Sequence, residues 1–246
     1  MKLSFQPAKP NLPNILTDPQ EVATALAALD LAQEDLATAV AAARTAGLDW
    51  TPDHPSTARG TSVHVAAVAE LRRVLRRKRW RIQDEQNQPL AFHPTREFAV
   101  TVANGDIATG DPDATPTTRA SKGRRTRQAV EQNQLQGTFS EISSAFDPPQ
   151  RETWILLVRT GADGNLVRAE LSRPAGFDKQ GRVAVWTSRL MLTDLLGYAS
   201  SVQLSTPPQD WGYPERIDVP VRSKTEWDTP ALSIPADSPS PDSAEE

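Results

Sequence analysis

The chain contains no cysteine. Disulfides, thiolate zinc sites and cysteine nucleophiles are therefore excluded, and the composition fits a reducing compartment. Histidine is scarce: His54, His64 and His93 are scattered, and none forms a metal-spaced pair. His64, at the edge of an apolar arc, reads as a structural residue rather than a general base. Long apolar runs are missing too. The opening MKLSFQPAKPNLPN carries a lysine but no apolar core for a signal peptide, and the most apolar segment, WILLV, is far too short to span a bilayer. The expectation is a soluble cytoplasmic protein without membrane association. No Gly-x-Ser-x-Gly elbow, helix-turn-helix, zinc-finger or RNA-recognition signature is present, and there is no internal repeat.

What the sequence does have is segregated charge. The net charge of -4 over 246 residues conceals a basic middle. Between Arg59 and Arg127 there are fourteen Lys or Arg against seven Asp or Glu, so this segment is +7 and the remainder -11. A basic block between acidic flanks suits a polyanion, with solubility supplied by the rest of the chain.

The densest part of that block ends Val63 to Ile82, VHVAAVAELRRVLRRKRWRI. At helical spacing, Val63, Ala67, Val68, Leu71, Val74 and Leu75 share one side, while Arg72, Arg73, Arg76, Arg77 and Arg79 take the other. Thr61 or Ser62 is the expected cap. Lys78 falls on the apolar side, so the helix ends there or the side chain snorkels. Trp80 joins the Arg face, free to stack on a base or lie at an interface, if the helix continues; the favoured reading is a strand in which it alternates inward with Ile82. A second cationic cluster, Arg119, Lys122, Arg124, Arg125 and Arg127, lies among flexible residues.

Upstream, Asp18-Pro19-Gln20-Glu21 opens a helix, with Asp18 as N-cap and Pro19 at the first helical position. The expected helix runs to about Ala46 along a stripe of Val22, Leu26, Leu29, Leu36 and Val40, interrupted by Gln33. Gly47 fits the left-handed residue after its end. Such a stripe is ordinarily core, and secondarily a surface for homo-oligomer pairing.

Downstream, residues 83–89 read as a turn, and Leu90–His93 and Glu97–Val102 as short strands. Asn104 to Gly123 is a long Gly-, Pro- and Thr-containing loop, of a length that is usually functional or disordered. Thr126 caps a third, poorly buried helix from Arg127 to about Leu135. Thr153–Arg159 is a buried strand whose hairpin partner, Leu166–Leu171, follows a turn at residues 161–165. Arg182–Trp186, Leu190–Leu196 and Val202–Leu204 are further candidates, the second of them as strand or short helix. A Pro-rich acidic tail after Ser223 is expected to be disordered.

The fold class is thus α+β: amphipathic helices leading into a small antiparallel sheet, then a β-rich unit and a tail. The expected divisions are a flexible start at 1–16, the helical region with its small sheet at 17–104, a polar basic loop with a short helix at 105–150, the β-rich unit at 151–222 and the tail at 223–246. Whether the two β-containing units share a core is open.

Several chemical sites can be weighed. Ser121-Lys122-Gly123 before a helix invites comparison with a phosphate loop, but Gly110 is too distant and Gly123 stands where Ser or Thr would follow the lysine. Asp106, Asp111 and Asp113 share a loop without the ligand spacing of an EF-hand. Glu97 and Asp106 with Glu152 or Glu170 would resemble a nuclease-like carboxylate set by residue type alone. No catalytic or metal set stands out, and no cofactor is called for. The leading expectation is a non-enzymatic protein that binds the phosphate backbone of DNA or RNA through Arg72, Arg73, Arg76, Arg77 and Arg79 with Arg119, Lys122, Arg124, Arg125 and Arg127. The alternative is an assembly component whose basic helix docks an acidic protein partner. A metal-dependent phosphoesterase built on the Asp-containing loop is a third class.

Overall fold

The computed structural model describes residues 13–51, 53–138, 151–161 and 167–192, the side chains of 135–138 excepted. The expected flexible start, apart from residues 13–16, lies outside the described residues. So do most of the 161–165 turn, residues 193–196, Val202–Leu204 and the acidic tail.

The first helical stretch is two helices. α1 (Pro19–Ala28) starts as expected, with Asp18 accepting from the backbone N–H of Gln20 and Glu21 at 3.0 Å each. It stops at a left-handed Asp30, φ 55°. The N–H of Leu31 reaches back to Leu26 O (3.0 Å) and that of Asp30 to Ala27 O (2.9 Å), the paired bonds of a Schellman ending. α2 (Gln33–Leu48) then begins afresh, with Asp35 accepting from Ala32 N–H at 2.9 Å. The continuous helix expected from Asp18 to Ala46 is thereby corrected, because Asp takes the left-handed position usually held by glycine.

Gly47, in turn, is not a cap. It is buried inside α2, where an added Cβ would stand 3.2 Å from Val63 Cγ2 and 3.4 Å from Thr160 Oγ1. The residue permits close helix packing rather than a chain reversal.

α3 (Ala58–Arg77) begins before the expected Thr61 or Ser62 cap and carries no side-chain capping bond at Thr57. Its end repeats the device of α1. Arg79 is left-handed at φ 65°, with Arg79 N–H bonded to Arg76 O (2.9 Å) and Trp80 N–H to Leu75 O (3.1 Å). Trp80 accordingly leaves the helix and enters the core at 3% exposure, against Phe98 and His93.

β2 (Arg81–Glu85) and β3 (Gln88–Phe92) form a tight hairpin. Only Gln86 and Asn87 turn, both at positive φ, so the seven-residue turn expected at 83–89 is mostly strand. β4 (Phe98–Asn104) follows, and after a long connection come α4 (Arg124–Thr138), β5 (Glu152–Thr160), β6 (Val167–Phe177) and β7 (Val183–Leu192). With β1 (Asn14–Leu16) these make one mixed sheet in the order β1-β7-β6-β5-β4-β3-β2. The β4/β5 and β1/β7 pairs are parallel. Strands from both β-containing segments therefore share a single sheet, joined by seven registered pairs from Phe98↔Glu152 to Asn104↔Val158.

Strand alternation sends the two faces to different partners. Val100, Val102, Trp154, Leu156, Val158, Leu171 and Leu190 pack with Val22, Leu26, Leu36, Val40, Leu71 and Leu75 of the first three helices. Ala103, Ile155, Leu157, Val183 and Trp186 face the other way, onto Val130 of α4. The apolar stripe of the first helical stretch is consumed by the core of its own chain: Val22, Leu26, Leu36 and Val40 have no exposed surface.

α4 is longer and better anchored than expected. It starts at Arg124, before the Thr126 cap, and Thr126, Ala129, Val130 and Asn133 are buried. Asn133 exchanges two bonds with Thr153 (3.0 and 2.9 Å) and donates a third to Pro174 O (3.0 Å). A polar residue thus docks this face, which is why counting apolar residues underestimated it.

Candidate anion-binding surfaces

Ten cations were candidates, and the fold treats them differently. Arg72 is half-buried, bonded to Asp84 and to Gln83 O. Arg73 is held by Glu70 one turn earlier (2.8 Å). Arg125 is buried, with its Nε 2.8 Å from Glu85, and Arg151 shares the same carboxylate at 3.4 Å. Arg72, Arg73 and Arg125 are thus each already engaged by an acid of the fold. Asp35 of α2 pairs with Lys78 rather than with the Arg face, at 2.6 Å.

Arg76, Arg77, Arg79, Arg119, Arg124 and Arg127 remain exposed, and none makes an ion pair among the described residues. Arg127 lies over the Phe177 ring at 5.5 Å. The six do not form one stripe. Arg119 borders the first turn of α3 in a shared cavity and Lys122 acts on His64, whereas Arg76, Arg77 and Arg79 lie at the far end of that helix. At about 1.5 Å per residue, Arg76 is about 18 Å along the axis from His64. Arg76, Arg77 and Arg79 are therefore separated from Arg119 and Lys122 by most of the length of α3, and Arg124 and Arg127 belong to α4, which packs on the other face of the sheet.

Two cavities occur at the α3 N-terminal end. One, of about 340 Å³, is lined by His64, the β2–β3 turn, Thr101, Lys122, Gly123 and Thr126. Lys122 is half-buried, and its burial pulls the ammonium below the ordinary lysine range. Burial, and then the charge of Lys122, likewise lowers the His64 imidazole. Gly123 and Thr126 line the same cavity, so the Ser121-Lys122-Gly123 segment does meet a helix start.

The other, of about 430 Å³, opens where parallel strands β4 and β5 end and α3 begins. Asn104 at the end of β4 donates Nδ2 to Gly60 O (2.7 Å), tying the strand to the first turn of the helix. Arg59, Arg119 and Arg159 line this cavity with one acid, Asp106. Arg59 and Arg159 had no assigned role in the sequence. The signal for Arg159 was a cation closing an otherwise apolar buried strand.

The connection from Asn104 to Gly123 is packed, not loose. Asp106 accepts from Ala108 N–H (3.1 Å), Thr117 N–H (3.1 Å) and Thr117 Oγ1 (2.8 Å). Glu170, weighed as a nuclease-like ligand, is fully buried and binds Arg189 (2.7 Å), while accepting from Gly110 N–H (2.9 Å) and Ser172 Oγ (2.7 Å). Among the described residues no three His, Asp or Glu come together as a metal set. No described helix is long and apolar enough to cross a membrane.

No family model, curated protein or solved structure matches the chain.

Proposed function

We propose that the protein is a binding protein rather than an enzyme, and that it holds the phosphate backbone of DNA or RNA. The observation that supports this is Arg76, Arg77 and Arg79 at the end of α3, exposed and without acid partners among the described residues. Arg81 follows on edge strand β2, its guanidinium 4.7 Å over Phe92. The carbonyls at a helix C-terminus favour nearby cations by only about 0.3–1 kcal/mol each at an exposed site. That modest field gives no reason to gather so many on one surface. Guanidiniums there displace condensed counterions from a nucleic-acid backbone, which yields salt-dependent binding with little sequence preference.

The test is binding of labelled single- and double-stranded DNA and RNA across a salt series. Replacing Arg76, Arg77 and Arg79 with alanine is expected to weaken binding. It should also reduce the salt slope on duplex DNA by up to about 0.9 for each phosphate that is no longer neutralised. Absence of binding at low salt, or an unchanged slope in the folded triple variant, overturns the proposal.

A further inference from the structure

The cavity at the ends of β4 and β5 holds an unbalanced charge. Arg59, Arg119 and Arg159 approach it from α3, the β4–α4 connection and β5, with Asp106 as the one acid in its lining among the described residues. Asp106 is already engaged with Ala108 and Thr117, and no ion pair joins it to the three arginines. Across the ladder, Arg159 faces Arg168, whose own charge is met by Asp111 at 3.8 Å, so that position supplies Arg159 with no counter-charge. Arg59 is oriented by a bond to Gly161 O, and Asn104 fixes the floor through Gly60. Arg59 and Arg159 are thus carried by the packed helix and the sheet, and Arg119 by a connection tied to the end of β4 through its N–H to Asn104 O (2.8 Å), which lowers the entropy cost of converging on a ligand.

We propose that this cavity is a binding site for a phosphomonoester dianion. A phosphomonoester carries about 1.5–2 negative charges at neutral pH and three strong acceptor oxygens. A carboxylate or an internal phosphodiester carries a single charge and satisfies three guanidiniums less well. The cavity volume, about 430 Å³, lies within the usual small-ligand range. It accommodates the substituent as well as the phosphate, and Ile107, 76% exposed, supplies an apolar wall for it. The phosphate comes either from a free nucleotide-sized ester or from the end of a nucleic-acid strand. The site does not depend on the helix surface proposed above, because Arg76, Arg77 and Arg79 lie at the other end of α3.

Calorimetric titration of the full chain with AMP and with inorganic phosphate tests the free ester. Comparison of 5′-phosphorylated with 5′-hydroxyl twelve-nucleotide strands, in the Arg76, Arg77 and Arg79 alanine background, tests the strand end. Binding of AMP, or at least tenfold preference for the phosphorylated strand, is expected. It should fall at least tenfold in Arg119→Ala and Arg159→Gln and weaken from pH 8 to pH 5, as the ester loses its second charge near about pH 6. Arg119 is itself exposed and outside the sheet, so its variant keeps the test valid if Arg159→Gln disturbs the sheet. The site is overturned if AMP and phosphate fail to bind at millimolar concentration and the two strands bind alike. It is equally overturned if binding is unchanged in a folded Arg119→Ala protein. Loss of backbone binding in the triple variant with AMP binding retained would leave the site standing by itself.

Discussion

Arg189 and Glu170 form a bidentate ion pair inside the protein, at 3.1 and 2.7 Å, with 1% and 0% of their side chains exposed. They sit on neighbouring strands β6 and β7, and Arg189 directs its other donors to Ala114 O (2.7 Å) and Asp111 O (2.9 Å). The pair thereby pins the long β4–α4 connection to the sheet. Gly110 completes the seat: its φ of 69° and a would-be Cβ 3.0 Å from Arg168 Cβ leave little room for any side chain.

Removing half of that pair should be costly. Glu170→Gln leaves a buried guanidinium without its counter-charge, and a loss of about 3–5 kcal/mol is expected. Urea denaturation measures it; a loss below about 1 kcal/mol would mean that the pair does not hold the connection in place. Limited proteolysis should cut the variant between Gly110 and Thr118 before the wild type.

Asn133 gives a second test. Its replacement by alanine strands Thr153 N–H, Thr153 O and Pro174 O beneath α4. Each buried orphan costs about 1–3 kcal/mol, so a total of at least ~2 kcal/mol is expected. Hydrogen exchange should show Thr153 N–H losing protection, an effect that simple loss of helix propensity would not produce.

A left-handed helix end and a buried helical glycine predict changes of opposite sign. Arg79 carries a conformational penalty that glycine avoids, so Arg79→Gly is expected to stabilise by about 0.5–1 kcal/mol despite the extra freedom of an unfolded glycine. Gly47→Leu should do the opposite by about 1–3 kcal/mol, because its side chain would enter the contact with Val63 and Thr160. Thermal unfolding checks both signs.

His64 predicts a pH dependence. In the unfolded chain an imidazole titrates near about pH 6.5, whereas burial, followed by the charge of Lys122, holds the folded one lower. Between those values the unfolded chain binds more protons. The stability contributed by neutral His64 is therefore present above the unfolded value and is lost as pH falls through the folded one. Wild type should lose more stability than His64→Gln between pH 7.5 and pH 5. Lys122→Met should raise the His64 titration midpoint measured by NMR, and an unmoved midpoint would deny the coupling.

Local chemistry determined much of this protein. Asp18-Pro19 starts α1, the apolar and cationic sides of α3 separate at helical spacing, Trp80 turns inward, and the β5–β6 hairpin pairs as its alternation requires. Each depends on residues close together in the chain. The same local rules misplaced the ends of helices where Asp30 and Arg79 occupy positions that glycine usually marks, since burial of the next residues, Leu31 and Trp80, and their bonds back to the helix offset the backbone penalty. They also underestimated α4, whose anchoring resides in an asparagine matched to distant backbone groups.

Only the tertiary structure decided which charges are free. Arg72 and Arg125 find Asp84 and Glu85 across the fold, while Arg76, Arg77 and Arg79 do not find a partner among the described residues. Arg59, Arg119 and Arg159 are separated by long stretches of sequence, and they meet because β4 and β5 run parallel and end beside the start of α3. Sequence supplies the number and sign of the charges; partners and convergence depend on which strands become neighbours, a property of the whole sheet.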